Sequence, residues 1–417
     1  MKCLKPLFAS LILYFFIFGC APEDLDKPIT NHNSNKNNAV NLPVKSTNEL
    51  IIEYKHGMNN SMKNNLRRKY NVKRFEKCDC INDRIEKWEF DPNVDIEGRN
   101  DQITQEGGVE GTDYQFFYAN ENISPTTLST ITSSHSNELI TSFLKPNSTL
   151  TIAVLDTGIN LNKLPHRDPF LYTLTSNEIL CKENEAGEEI SGWDFINSDN
   201  DIYDDNGHGT IVSSIIKSKL DNENITNYQI LPVKVFNHLG KTSTFKLLCG
   251  YLYTVNKPSV SIINMSFGWY SAPSRLLYKF ISENPDILHI SSSGNDNHDN
   301  DSVAHYPSSY DNNNVLAIGS FSIRNRSEIV KSTFSNYGNT SVDFLSVGDQ
   351  VSFYDNTGTH YLVSGTSYAA PLVAAKSAIH YLSGYTTPVE ITNQLRINGT
   401  SLISGSMPTY YGDRIIE

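Results

Sequence analysis

Large apolar residues fall along this chain in short blocks separated by polar stretches, and the blocks differ in kind. The first, Leu7 to Phe18, is almost wholly apolar and follows Lys2 and Lys5, the charged-then-apolar order of an export signal. It is too short to cross a bilayer as a helix, which takes about 20 residues. Residues 28–46 are rich in Asn with Lys, Ser and Pro and read as a flexible tether. Glu49–Tyr54 then reads as a strand, a polar stretch ending near Tyr70 as a helix, and Asn71–Phe75 and Ile85–Phe90 as two further strands, a β-α-β-β order. Residues 93–146 carry Gly, Asn, Ser and Thr clusters with little periodicity, the pattern of a linker.

Beyond Leu150 the pattern changes. Leu150–Leu155 is a continuous apolar run, Ile287–His289 is strand-like, and Ile211–Ile216 and Leu372–Ala375 read as parts of buried helices. A continuous apolar strand such as Leu150–Leu155 fits a doubly wound α/β domain whose mostly parallel sheet is flanked by helices. The length of 417 residues accommodates one such domain plus accessory segments.

Composition adds mainly exclusions. Hydrophobic residues make up 38% and charged residues 19%, as in globular rather than disordered chains. The net charge is −12 and the one basic cluster, Lys63, Arg67, Arg68 and Lys69, reads as a solvated helix face, so there is no footprint for nucleic acid. Six cysteines stand at 3, 20, 78, 80, 181 and 249, without zinc-site spacing. Cys181 and Cys249 are open to pairing with each other after export or to remaining buried thiols. Cys78-Asp79-Cys80 reads as a structural element or a reactive pair rather than as a metal cage, since two ligands are too few.

The candidate chemistry lies in three motifs. Leu150–Asp156 is a strand delivering a carboxylate to the carboxyl edge of the sheet, where open α/β folds place their sites. Asp204-Asp205-Asn206-Gly207-His208-Gly209-Thr210 is a loop feeding a helix, with glycines that allow close approach to the imidazole. Val363-Ser364-Gly365-Thr366-Ser367-Tyr368-Ala369-Ala370-Pro371 puts a serine among small residues at a helix N-terminus, with Pro371 read as lying in the first turn. An acid, a base and a hydroxyl in these settings suit nucleophilic catalysis.

The three segments, in the chain order Asp, His, Ser, resemble the motifs of the subtilisin-like serine peptidases. The resemblance covers about residues 147–417. It implies an endopeptidase acting through an acyl-enzyme, with Ser367 as nucleophile, His208 as general base and Asp156 orienting the imidazole. It also implies that Asn295, in Ser291-Ser292-Ser293-Gly294-Asn295, donates to the oxyanion. Ser292, Ser293 and Gly294 would floor the pocket for the side chain before the cut bond, and the serines would make that floor polar. Ser266, Phe267 and Gly268 would pair with an extended peptide substrate, flanked on its other side by Gly240, Lys241 and Thr242. No cofactor is required. Residues 217–232 are shorter than the family's common calcium loop, while Asp221, Asn222, Glu223 and Asn224 offer hard oxygen ligands, leaving structural calcium open.

Residues 47–92 resemble the small pro-domains that precede such enzymes, and Ile17-Phe18-Gly19-Cys20 resembles a bacterial lipobox with Cys20 the lipidated residue. The expected layout is thus a signal peptide 1–19, a tether 20–46, a pro-domain-like segment 47–92, a linker 93–146 and a peptidase domain 147–417. The whole would be an exported monomer held to a bacterial membrane by lipid at Cys20. Two other readings are a catalytically silent peptide-binding relative and a maturation protease with one dedicated substrate.

Overall fold

In the computed structural model, the residues described are 42–80, 83–119, 134–165, 168–176, 178, 181–183, 187–325, 328–401 and 414–416. The expected signal peptide and Cys20 lie outside them.

The N-terminal part is a β-α-β-β-α-β unit. Strand β1 (Val44–Tyr54) is followed by α1 (Asn60–Lys69), β2 (Arg74–Lys77), β3 (Ile85–Glu89), α2 (Ile96–Thr104) and β4 (Val109–Ala119). The order β4-β1-β3-β2 with antiparallel neighbours is the split βαβ arrangement of ferredoxin-like sheets. Alternation along β1 gives the sheet two apolar faces. Leu50, Ile52 and Tyr54 pack with Trp88, Ile96 and Ile103 beneath the helices. Ile51, with Ile85 of β3, instead joins a core shared with the second domain.

Two expectations change here. The stretch 93–146 is not a plain linker, because α2 and β4 complete the N-terminal sheet and Ile140 and Phe143 of the short helix α3 (Asn137–Ser142) and its C-cap enter the main core. The sequence hid β4 behind Gly107-Gly108 and behind Asp113, a carboxylate buried inside the strand. Nor are all the basic residues of α1 solvated. Lys63 and Arg67 point inward, Lys63 over the Tyr54 ring and bonded to the Asp83 carbonyl, and Arg67 onto Glu86 at 2.7 Å. Glu86 also accepts from Tyr54 and Trp88, so a buried charge is matched by three donors.

The second domain is a ten-stranded sheet. Its central strands are β5 (Leu150–Asp156), β7 (Tyr228–Lys234), β9 (Val260–Met265), β10 (Leu288–Ser292), β11 (Val315–Arg324) and β13 (Phe344–Val347), with β6 (Trp193–Asp194) at one edge. All of these pair in parallel, in the order β13-β11-β10-β9-β5-β7-β6, and β12 (Glu328–Lys331) adds antiparallel to β11. Helices α4 (His208–Asn222), α7 (Thr366–Leu382) and α8 (Pro388–Asn398) cover one face, and α5 (Thr244–Val255) and α6 (Arg275–Glu283) the other. The chain leaves β5 to one side for β7 and later returns to its other side with β9, a switch point at whose carboxyl end ligand sites form.

The two domains are joined along the free face of the N-terminal sheet. The three-residue strand β8 (Lys241–Ser243) extends that sheet by pairing antiparallel with the end of β4. Asp113 accepts from the Ser274 hydroxyl at 2.6 Å and from the Leu276 amide, at the start of α6. Glu53 is bonded by Arg84 and by Lys279 of α6. Disulfides link Cys78 to Cys249 of α5 and Cys80 to Cys181. Cys181 and Cys249 are therefore neither partners of each other nor free thiols, and the Cys78-Asp79-Cys80 triplet is the structural element among its readings.

Asp221 and Glu223, offered by the sequence as calcium ligands, have other partners. Asp221 is held by Lys217 and Tyr228, and Glu223 by Lys219 and Lys376. Among the described residues no three His, Cys, Asp or Glu gather as a metal site.

Candidate active site

Asp156 is the last residue of β5 and is fully buried. Its Oδ1 accepts from the Thr157 amide at 2.8 Å, which fixes the carboxylate against its own strand end. His208 opens α4 and is also fully buried. Its Nδ1 lies 2.8 and 3.0 Å from the two oxygens of Asp156. That contact fixes the tautomer, because a carboxylate can only accept.

The loop before His208 is organised by a residue that the motif reading left without a role. Asp204, fully buried, takes the Asn206 and Gly207 amides on one oxygen and the amide and hydroxyl of Thr210 on the other. Burial raises its pKa while these bonds oppose the rise. The available signal was local: an Asp preceding the first turn of a helix is a capping residue. The approach of α4 to β5 is close enough to demand glycine at 209, where a Cβ would stand 2.3 Å from the Gly158 carbonyl oxygen.

Ser367 is the second residue of α7 and is 3% exposed. Its neighbour Tyr368 packs against His208, with ring centroids 5.4 Å apart, which brings the start of α7 beside the imidazole. Among the described residues His208 Nε2 has no hydrogen-bond partner, so the ring nitrogen opposite Asp156 is uncommitted. Pro371 lies not in the first turn but at the sixth residue of α7. The Ser367 carbonyl thereby loses the amide that a helix would supply four residues on. The Ser266 hydroxyl donates to that carbonyl instead, at 2.8 Å.

Asn295 is placed against the same helix end. Its Oδ1 accepts from the Thr366 amide at 2.8 Å and the Thr366 hydroxyl at 2.9 Å, so its Nδ2 carries the remaining donors. Ser292 and Ser293 are buried, their hydroxyls turned to the carbonyls of Phe267 and Asn336 at 3.5 Å. Gly294 has a φ of +105°, and a Cβ there would stand 2.4 Å from Asn336 Nδ2. Ser266, Phe267 and Gly268 continue β9 past its last paired residue and carry no ladder pairing among the described residues. The Asn206 side chain bonds the His238 carbonyl at 2.9 Å, so the segment leading into β8 runs beside the histidine loop.

Residues 147–394 match the family model described as the subtilase family. This chain belongs to the subtilase family. The thermostable alkaline protease of Halalkalibacterium halodurans is 32% identical over 237 residues, covering 54% of this chain and 60% of that protein. The cell wall-associated protease of Bacillus subtilis is 28% identical over 240 residues, 56% of this chain but 24% of that protein. Thermitase of Thermoactinomyces vulgaris is 26% identical over 234 residues, 55% and 73% of the two chains. The chain thus spans less than two thirds of the first two of these relatives. Among solved structures, an epidermin leader peptide processing serine protease from Staphylococcus aureus shares the fold with a TM-score of 0.55 at 16% identity. That likeness covers 88% of this chain and 96% of the other, so for this subtilase it reaches into the N-terminal domain.

Proposed function

We propose that this subtilase is a serine endopeptidase that cuts extended peptides through an acyl-enzyme on Ser367. The observation that carries the reading is the buried pairing of His208 Nδ1 with Asp156 while Nε2 is left uncommitted beside the start of α7. In this reading Ser367 Oγ attacks the peptide carbonyl as Nε2 takes its proton. The proton then passes to the leaving amine, and water repeats the sequence to free the acid. Asp156 stabilises the imidazolium. Asn295 Nδ2, the Ser367 amide and the N-terminal dipole of α7 face the oxyanion. The substrate lies between β8 and Ser266–Gly268, over the floor formed by Ser292, Ser293 and Gly294, and bonds through its main chain.

The N-terminal domain acts in this reading as a pro-segment, and self-cleavage follows it. Supporting this, β4 pairs with β8 from Phe117↔Ser243 to Ala119↔Lys241, running toward the histidine loop as a peptide would. Export is supported by two disulfides, which persist in oxidising compartments, and by relatives named as cell-wall and extracellular proteases. Lipidation at Cys20 remains part of the proposal, and the working molecule is a monomer on the membrane. No cofactor is needed for this chemistry.

The test is labelling by a fluorophosphonate probe together with hydrolysis of a peptide library. Wild type should label and cleave, and Ser367→Ala should do neither while melting as wild type does. Labelling that persists in Ser367→Ala would remove the assignment. Separately, Cys20→Ser should move the protein from the membrane to the soluble fraction, and unchanged fractionation would remove the anchor.

A further inference from the structure

Cys78 and Cys80 both precede the end of β4, and Cys181 and Cys249 both follow the start of β5. Any cut between β4 and β5 therefore leaves both bridges spanning it. We propose that the mature enzyme is a two-chain molecule in which the N-terminal domain is never discarded, the two disulfides holding it to the catalytic domain after the chain between them is cut. The proposal rests on the self-cleavage reading above for how the cut arises, but the clamp itself rests on the bridges.

The placement of the bridges decides what a cut can release. The five-stranded sheet runs β8-β4-β1-β3-β2. Its pairing with β8, beside the histidine loop, is at one edge, and the cysteines leave β2 at the other. Between the two edges lie Glu53–Lys279 and the Asp113 contacts with α6, and Lys246–Glu76 ties the β2 edge itself. A cut after β4 removes the covalent continuity of its last residues only. Those residues, Phe117 to Ala119, hold to β8 through three paired positions, whereas the cysteine edge is fixed covalently. Relief of inhibition is thus a local peeling of the end of β4 from β8, with the body of the domain staying docked.

A second consequence concerns location. Everything before β1 lies on the N-terminal side of the cut. Without the bridges a lipid at Cys20 would stay with the pro-segment and the active domain would leave. With them, the active domain stays attached to whatever holds the N-terminus.

The experiment uses the full chain produced through an oxidising export route, with thiols alkylated before denaturation. In a Ser367→Ala background, a recognition sequence for a site-specific protease is inserted between β4 and β5 and cut. The expected result is one denatured species without reductant and two with it. Two species without reductant would overturn the proposal. The same cut chain carrying Cys78→Ser and Cys80→Ser should separate without reductant, and continued linkage would show that other residues hold the domains. Wild type without the inserted site reports the self-cleavage reading alone. If reduced wild type is one chain, that reading and the two-chain form fail together, and the cut Ser367→Ala chain still decides whether the bridges clamp the domains.

Discussion

The Ser266 hydroxyl donates to the main-chain carbonyl of Ser367 across 2.8 Å, and is itself bonded by Asn264 Nδ2 at 2.9 Å. The relationship exists because Pro371 has no amide to give that carbonyl. Ser266, read from sequence as a peptide-pairing residue, therefore also sets the position of the serine helix through its side chain. Ser266→Ala should leave a buried acceptor unmet and destabilise the fold by about 1–3 kcal/mol. It should lower kcat more than it raises KM, since the shift falls on the serine and not on the peptide edge. Adding Pro371→Ala supplies the missing helical amide, so the double variant should regain most of the lost melting temperature. A double-mutant cycle by thermal melts checks this, and strictly additive losses would show that the two residues are not coupled.

In the proposed mechanism Asn295 divides its amide between two tasks: Oδ1 accepts from Thr366, and Nδ2 is the donor that would serve the oxyanion. Asn295→Asp keeps the acceptor and removes the donor. Loss of such a donor costs roughly 100–1,000-fold in kcat, a magnitude measured in subtilisin itself. The expected result is a fall of that size with near-native melting, whereas Asn295→Ala should lose stability as well. Steady-state kinetics beside calorimetry separates the two, and an Asp variant with native kcat would exclude Nδ2 from the reaction.

The motifs of the candidate site were legible because each is local. Asp156 ends an apolar run, His208 sits between glycines at a helix start, and Ser367 stands among small residues at another, so a few neighbours define each environment. The N-terminal domain was half legible. β1 and β3 announce themselves through Leu50, Ile52 and Trp88, but β4 carries Asp113 in its interior and α2 has only Ile96 and Ile103 to anchor it. The disulfides were not legible at all. Their sequence separations are 171 and 101, and which cysteines meet depends on how two domains dock, a relation no local pattern encodes.

Asp113, buried where the N-terminal domain meets α6, should make that docking sensitive to pH. Burial pushes its carboxyl up to about 6 despite bonds from Ser274, Leu276 and Tyr114. An acid whose folded pKa is raised holds its proton in the folded state over a window where the unfolded chain has lost it. Stability from this group is therefore greatest below about pH 4, the unfolded value, and declines as pH rises to about 6. Asp113→Asn removes the titration. Wild type should gain on the variant when pH is lowered from 7 to 4, by at most roughly 3 kcal/mol. Parallel melting curves across that range check the sign, and a difference that grows in the opposite direction would contradict it.

Tyr118 offers the most direct measure of whether β4 competes with substrate. It pairs with Thr242 of β8, is 3% exposed, packs tilted against Trp269 with ring centroids 4.4 Å apart and shares a hydrogen bond with Thr244 at 3.0 Å. It is not among the groups gathered around His208 Nε2, so changing it alters who occupies the groove and not the chemistry there. Truncating a buried aromatic ring costs roughly 3–5 kcal/mol of packing, and a factor of ten in an equilibrium corresponds to about 1.4 kcal/mol. Even a third of that loss falling on the strand end, rather than on the docked domain, would weaken the competition about tenfold. In Tyr118→Ala the apparent KM for a short peptide substrate should therefore drop about tenfold with kcat little changed. Tyr118→Phe loses only the hydroxyl bond, a net of about 0.5–1.5 kcal/mol, and should fall between wild type and the alanine variant. If KM in Tyr118→Ala equals that of wild type, β4 does not occupy the substrate's edge and the N-terminal domain inhibits nothing by that route.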